Sequence, residues 1–206
     1  MLLVHSVAAR STAGALAEHN GVMWLVDSSQ VGQVAFQRMV RDGDLIALMG
    51  TGARPVDIPD SAPLRTAALA PLVRPGLTLT GLGALWAHFG GTPPTSLDVL
   101  AYEHRHWRSW SPPMPTRMHT TPVRHGAVAT PGVALADALR WADLRRAIPV
   151  AYALLSSGRV AAADALGALD AIAAQDNSWR RAWSAWAAVR DAQGAARRVT
   201  AAASPR

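Results

Sequence analysis

The chain has 206 residues, half of them hydrophobic, no cysteine, and a net charge of +6 in which every basic residue is arginine. That length suits one large domain or two small ones, and the missing cysteine excludes a disulfide framework, a thiol nucleophile and a cysteine-ligated zinc. Apolar runs are broken by Pro, Gly or charge well short of the roughly 20 residues a membrane span needs, and the apolar start Met1–His5 has no charged segment ahead of it, so a cytoplasmic protein without a signal peptide is expected.

The positive charge suits an anionic partner such as nucleic acid. It is unevenly placed. Residues 1–60 carry four arginines against six acids, and the remainder carries sixteen against eight. A DNA-binding segment near the N-terminus would draw much of its phosphate attraction from the second part.

In chain order, Ser11 or Thr12 caps an expected helix over Ala13–His19, ended by Asn20-Gly21. A short second helix is expected at the apolar run Val22–Val26 and the polar Asp27-Ser28-Ser29-Gln30 that follows it, with Val31-Gly32 as the next turn. The third helix runs from Gln33 to Asp42 and stops at Gly43. Ala35, Phe36, Met39 and Val40 fall on its core face, and Gln33, Gln37, Arg38 and Arg41 on the other. Gln and Arg are the side chains that pair bidentately with adenine and guanine edges, although the same pattern also describes an ordinary solvated face.

Asp44–Met49 reads as a strand and Gly50–Pro55 as a tight turn. Helix, helix, glycine-ended helix, strand and glycine turn is the order of a winged helix-turn-helix. Thr51 and Arg54 of the turn suit phosphate contacts. Pro55, Pro59 and Pro63 with Asp57 and Asp60 mark a linker, which divides the chain into a winged helix over 1–58 and a second domain over 59–206.

The second domain is expected as mixed α/β, so the whole chain is α+β. Helices fall at Leu64–Val73 and Gly81–Phe89, strands at Leu97–Glu103 and Thr116–Val123 with a short third at Ala127–Thr130, and helices at Pro131–Trp141 and roughly 144–156, 160–174 and 177–193. The strands are expected to form a small antiparallel sheet, and the C-terminal part to be helical.

No sequence signature of an enzyme stands out: the chain has no G-x-S-x-G and no P-loop. His104, His106 and His119, with His125 and Glu103 nearby, are a candidate metal group, but neither a metal nor a cofactor is expected. Arg105, Arg108, Arg117 and Arg124, interleaved with Trp107 and Trp110, suit a phosphate backbone or an unpaired base, or equally a solvated loop. Trp179, Trp183 and Trp186 form a stripe on the last helix, either core or a partner-docking face.

With these motifs in order, the chain resembles the AbiEi-type antitoxin family of bacterial type IV toxin–antitoxin systems, in its actinobacterial form. The resemblance rests on Arg41-Asp42-Gly43-Asp44-Leu45-Ile46-Ala47-Leu48-Met49-Gly50 after the third helix, on Gly83-Ala84-Leu85-Trp86, on the strands around 97–103 and 116–123 as a hairpin, and on Thr130-Pro131 leading to Leu135, Asp137 and Leu139. It spans about residues 10–190. It implies a non-enzymatic antitoxin that binds inverted repeats of double-stranded DNA in its own promoter, represses its operon, and opposes a nucleotidyltransferase-like toxin. Gln33, Gln37, Arg38 and Arg41 would then meet bases and phosphates, and Thr51 and Arg54 the backbone. A protein-binding antitoxin without DNA binding, and an orphan winged-helix regulator, are the alternatives.

Overall fold

The computed structural model describes residues 25–50, 52–102, 111–172 and 176–203. Within them the chain is an α+β protein with two small three-stranded sheets and a helical C-terminal part. The helix expected over Ala13–His19 lies outside the described residues.

The first sheet belongs to a small N-terminal unit. Strand β1 (Val26–Asp27) leads into a short helix α1 (Ser28–Val31), and Gly32, at φ +83°, turns the chain into α2 (Gln33–Arg41). The expected short second helix is present at Ser28–Val31, its earlier part over residues 22–24 lying outside the described residues. Asp27 sets its start, accepting a hydrogen bond from the Ser29 N–H at 2.7 Å, while β-branched Val26 is better suited to a strand. Strands β2 (Leu45–Ala47) and β3 (Gly52–Pro55) follow, with β3 in the middle and antiparallel to both neighbours. Phe36, Leu45 and Ala53 form the small buried core, with Val26, Met39 and Val40 packed on it.

The body begins with α3 (Ala62–Leu69), which runs into a 3₁₀ turn over 70–72. Strand β4 (Leu77–Thr80), helix α4 (Gly81–Phe89), and strands β5 (Leu97–Tyr102) and β6 (Thr116–Thr121) come next. Four helices complete it: α5 (Pro131–Trp141), α6 (Leu144–Ser156), α7 (Ala162–Asp170) and α8 (Asn177–Ala203). The strand order is β4-β5-β6.

This sheet is mixed, which corrects the expected antiparallel sheet and hairpin. β4 and β5 are antiparallel, but β5 and β6 are parallel, in register from Leu97↔Thr116 to Tyr102↔Thr121. The physical reason is connection length: a tight turn would give a hairpin, whereas a parallel neighbour needs a dozen or so residues to return to the starting end, and 103–115 supplies them. The expected third strand at Ala127–Thr130 reduces to one parallel bridge, Leu79↔Val128.

The pleat sorts this sheet into two chemically different faces. Leu77, Leu79, Leu97, Val99 and Ala101 share one face and are all buried in the main core. Thr78, Thr80, Asp98, Arg117 and His119 share the other. The main core continues through α4, α5, α7 and α8, and includes Trp186, with Trp179 and Trp183 packed against it. The tryptophan stripe therefore belongs to the body.

The two units are in contact. Met49 is buried in the body's core, not the N-terminal unit's, and Leu48 packs beside it. Gly50, at φ +58°, lies so close to Leu72 that a Cβ would stand 2.8 Å from its Cδ2, and a Cβ on Gly52 would stand 3.3 Å from that of Ala68. The linker is tied down as well: Asp60 pairs with Arg65 at 2.7 Å. Arg65 is buried and also donates to the carbonyls of Ala87 and His88 at the end of α4, which satisfies carbonyls that a helix C-terminus leaves open.

Candidate nucleic-acid interface

Helix α2 projects Val34, Gln37, Arg38 and Arg41 at spacing i, i+3, i+4 and i+7, one face of a helix, and all four are exposed. Phe36 points the opposite way into the small core. Gln33 is exposed at the first helical position. The expected reading face is therefore accessible, with one addition: Val34 sits within it, 83% exposed.

The two arginines share one counter-charge. Arg38 Nε lies 3.4 Å from Asp42 Oδ2, and Arg41 Nε lies 3.1 Å from Asp42 Oδ1, with the arginine side chains 75% and 74% exposed. Asp42 closes the helix at its C-terminal end, where a negative charge opposes the helix dipole and an arginine relieves it. Exposed pairs of this kind are weak and screened, so a phosphate can compete for the arginines.

The turn after β2 is placed differently from the wing foreseen in the sequence. Thr51 lies outside the described residues. Arg54 is a strand residue of β3, not a turn residue, and is half-buried. Its guanidinium donates to the carbonyls of Pro55 and Ile58, and its Nε is buried with no partner among the described residues. Met49 and Gly50 are pressed against the body. Two glycines that permit close backbone approach explain this docking: the turn has no Cβ where Leu72 and Ala68 come near.

On the body, the four arginines expected to serve nucleic acid divide. Arg105 and Arg108 lie outside the described residues, as do His104 and His106. Arg117 is engaged: Nε and a terminal nitrogen both reach the Asp98 carboxylate, at 2.9 and 2.8 Å. His119 Nε2 is 2.9 Å from the same carboxylate, and its ring stacks on Trp141 with centroids 3.5 Å apart. Arg124 stands over the Tyr102 ring at 4.4 Å and, with His125, lines a cavity of about 250 Å³. Among the described residues no group of three His, Asp or Glu side chains is arranged to hold a metal.

Asp98 belongs to a polar network that continues through Trp141. Arg140 lies 4.1 Å over the Trp141 ring and donates to Asp137, Ser178 and Asp176 at 3.0, 2.9 and 2.8 Å. Thr80 donates to Asp137 at 2.7 Å. Burial pulls the Asp98 carboxyl upward, but hydrogen bonds from His119 and Arg117, and their charges, outweigh it and hold the group below the usual carboxylate range. At Asp137 burial prevails over the Thr80 hydrogen bond and the Arg140 charge, and the group is raised. Each member of the network has a partner, so its first role is to hold β4, β5, β6, α5 and the start of α8 together.

A second surface feature is a groove of about 440 Å³ between α4 and α6. Leu85, Phe89 and Val150 are among its apolar lining, and Arg145, Arg146 and Arg159 stand around it. Arg146 is partly committed, donating to Thr95 and to the Pro93 carbonyl.

Sequence reasoning overlooked Val34, Asp42 and Asp98. The signal for Val34 was its spacing to Gln37, Arg38 and Arg41. For Asp98 it was one acid in the otherwise apolar strand Leu97–Ala101, which alternation assigns to the face opposite Leu97 and Val99.

In comparisons with known proteins, the chain matches no protein-family model, no curated sequence and no solved structure.

Proposed function

We propose that the chain is an AbiEi-type antitoxin whose winged helix binds inverted repeats in its own promoter and represses its operon, while the body counters a nucleotidyltransferase-like toxin. The observation that carries this reading is the order β1, α1, α2, β2, β3 with α2 turning Gln37, Arg38 and Arg41 outward beside an antiparallel β2–β3 pair. A helix presented in this way enters the major groove with its side chains at base edges and phosphates. The wing contributes little to DNA contact in this reading, because Arg54 is engaged by its own chain. The reading helix, the arginines of the body and the charge surplus beyond residue 60 supply the attraction.

The test is a gel shift with the protein's own upstream region at two salt concentrations. Binding is expected to weaken steeply with salt. The double variant Arg38→Ala/Arg41→Ala is expected to bind at least tenfold more weakly; unchanged binding rejects α2 as the reading helix.

A second reading is favoured by the turn docked on the body and by the arginine-bordered groove between α4 and α6, which suits an acidic amphipathic helix. In that case the chain is a protein-binding antitoxin that no longer binds DNA. It then forms a stable complex with the neighbouring gene product and gives no shift even at low salt. A neighbouring gene without any toxin-like product leaves an orphan winged-helix regulator.

A further inference from the structure

We infer that Val34 is a specificity-determining side chain that recognises thymine methyl groups in the major groove; this rests on the DNA-binding reading above. Val34 is 83% exposed, the most exposed of the large hydrophobic side chains among the described residues. It lies on the outward face of α2 with Gln37, Arg38 and Arg41, opposite the buried Phe36. Among the described residues, neither packing nor local propensity accounts for it. The side chain contributes nothing to the small core, and a β-branched residue is a poor choice for an exposed helix position.

The chemistry around Val34 narrows the ligand. A protein-docking face gathers contiguous apolar area, whereas Val34 is the one apolar side chain on a face otherwise built of an amide and two guanidinium groups. A major groove presents that combination: acceptor edges and phosphates for Gln and Arg, and a single kind of apolar feature, the C5-methyl of thymine. The helical rise puts Val34 roughly 4.5 Å along the axis from Gln37 and about 6 Å from Arg38. That is one to two base-pair steps, so the methyl read by Val34 neighbours the purine read by Gln37 or Arg38.

The experiment compares two versions of the protein's upstream fragment, one amplified with thymidine and one with deoxyuridine triphosphate. The second keeps every hydrogen-bonding edge and loses only the methyl groups. The full chain and its Val34→Ala variant are titrated against both, and a thermal melt checks that the variant is folded. The wild-type chain is expected to bind the uracil fragment about fivefold more weakly for each methyl contacted. Val34→Ala is expected to bind both fragments alike, near the wild-type affinity for uracil DNA. Equal wild-type affinity for the two fragments overturns the inference while leaving promoter binding intact. So does a Val34→Ala variant that keeps the wild-type ratio, since the methyl groups are then sensed elsewhere or through DNA shape. No specific shift of either fragment overturns this inference together with the DNA-binding reading.

Discussion

The N-terminal unit and the body solve the problem of burial in opposite ways. Among the described residues, the N-terminal unit buries Phe36, Leu45 and Ala53 as its own cluster. The body buries one continuous cluster in which Leu69, Leu79, Leu97, Leu135, Leu139, Leu169 and Val189 are almost wholly withdrawn from solvent. The N-terminal unit also donates Met49 to that larger cluster. A small unit thus borrows rigidity from its neighbour at the β2–β3 turn, while the body is organised around its own interior.

The largest expected effect breaks the body. Leu135→Ala, in the middle of α5, is expected to cost about 2–5 kcal/mol, measured by urea denaturation followed by circular dichroism. Leu45→Ala in the N-terminal unit is expected to leave the main transition nearly in place. Equal losses from the two substitutions would mean that the units unfold as one.

Next comes the joint between them. Gly50→Ala imposes a left-handed backbone on a residue with a Cβ, at roughly 1–2 kcal/mol, and pushes that Cβ toward the flexible end of Leu72. The expected result is early protease cleavage within 25–58 while the body remains protected. An unchanged digestion pattern would show that the turn's docking is unnecessary for the N-terminal unit.

The smallest effect is a change in how stability responds to pH. Asp98 is held below the usual carboxylate range, so its contribution is present above the unfolded value and is lost as pH falls through the folded one. Asp137 is raised and has the opposite sign: its relative contribution is present at low pH and fades as pH rises through its folded value. Asp98→Asn is therefore expected to lower stability at neutral pH and to flatten the stability loss below about pH 4, read from denaturation at both pH values. A variant with the wild-type pH profile would remove Asp98 from the acid response.

The elements of the body were legible because glycine and proline punctuate it and because its helices carry plain apolar periodicity. Pro131 at the first turn of α5 and Gly90 after α4 fall where the sequence reading put them. The parallel pairing of β5 and β6 was missed because alternation within a strand does not fix its neighbour's direction; the signal was the long 103–115 connection, which suits a parallel return better than a tight hairpin turn. The site was read by residue type, and that is where it fell short. Arg117 and Arg54 have the chemistry of phosphate ligands, but Asp98 and the carbonyls of Pro55 and Ile58 claim them through contacts distant in sequence or formed only by the folded turn. Gln37, Arg38 and Arg41 were identified correctly as exposed because helical spacing alone decides which way they face.

Asp42 gives α2 a built-in counterion. Arg38 and Arg41 are already partly neutralised by a carboxylate that is covalently part of the chain, so fewer mobile anions gather on the free protein than two guanidinium groups would attract. Were DNA to displace Asp42 from them, as the proposed function requires, that carboxylate would stay nearby and repel the incoming phosphates. Fewer ions would then be exchanged per arginine, and the dependence of affinity on salt, though steep, would fall somewhat short of what the number of phosphate-contacting arginines implies. Base recognition would carry a correspondingly larger share of the discrimination.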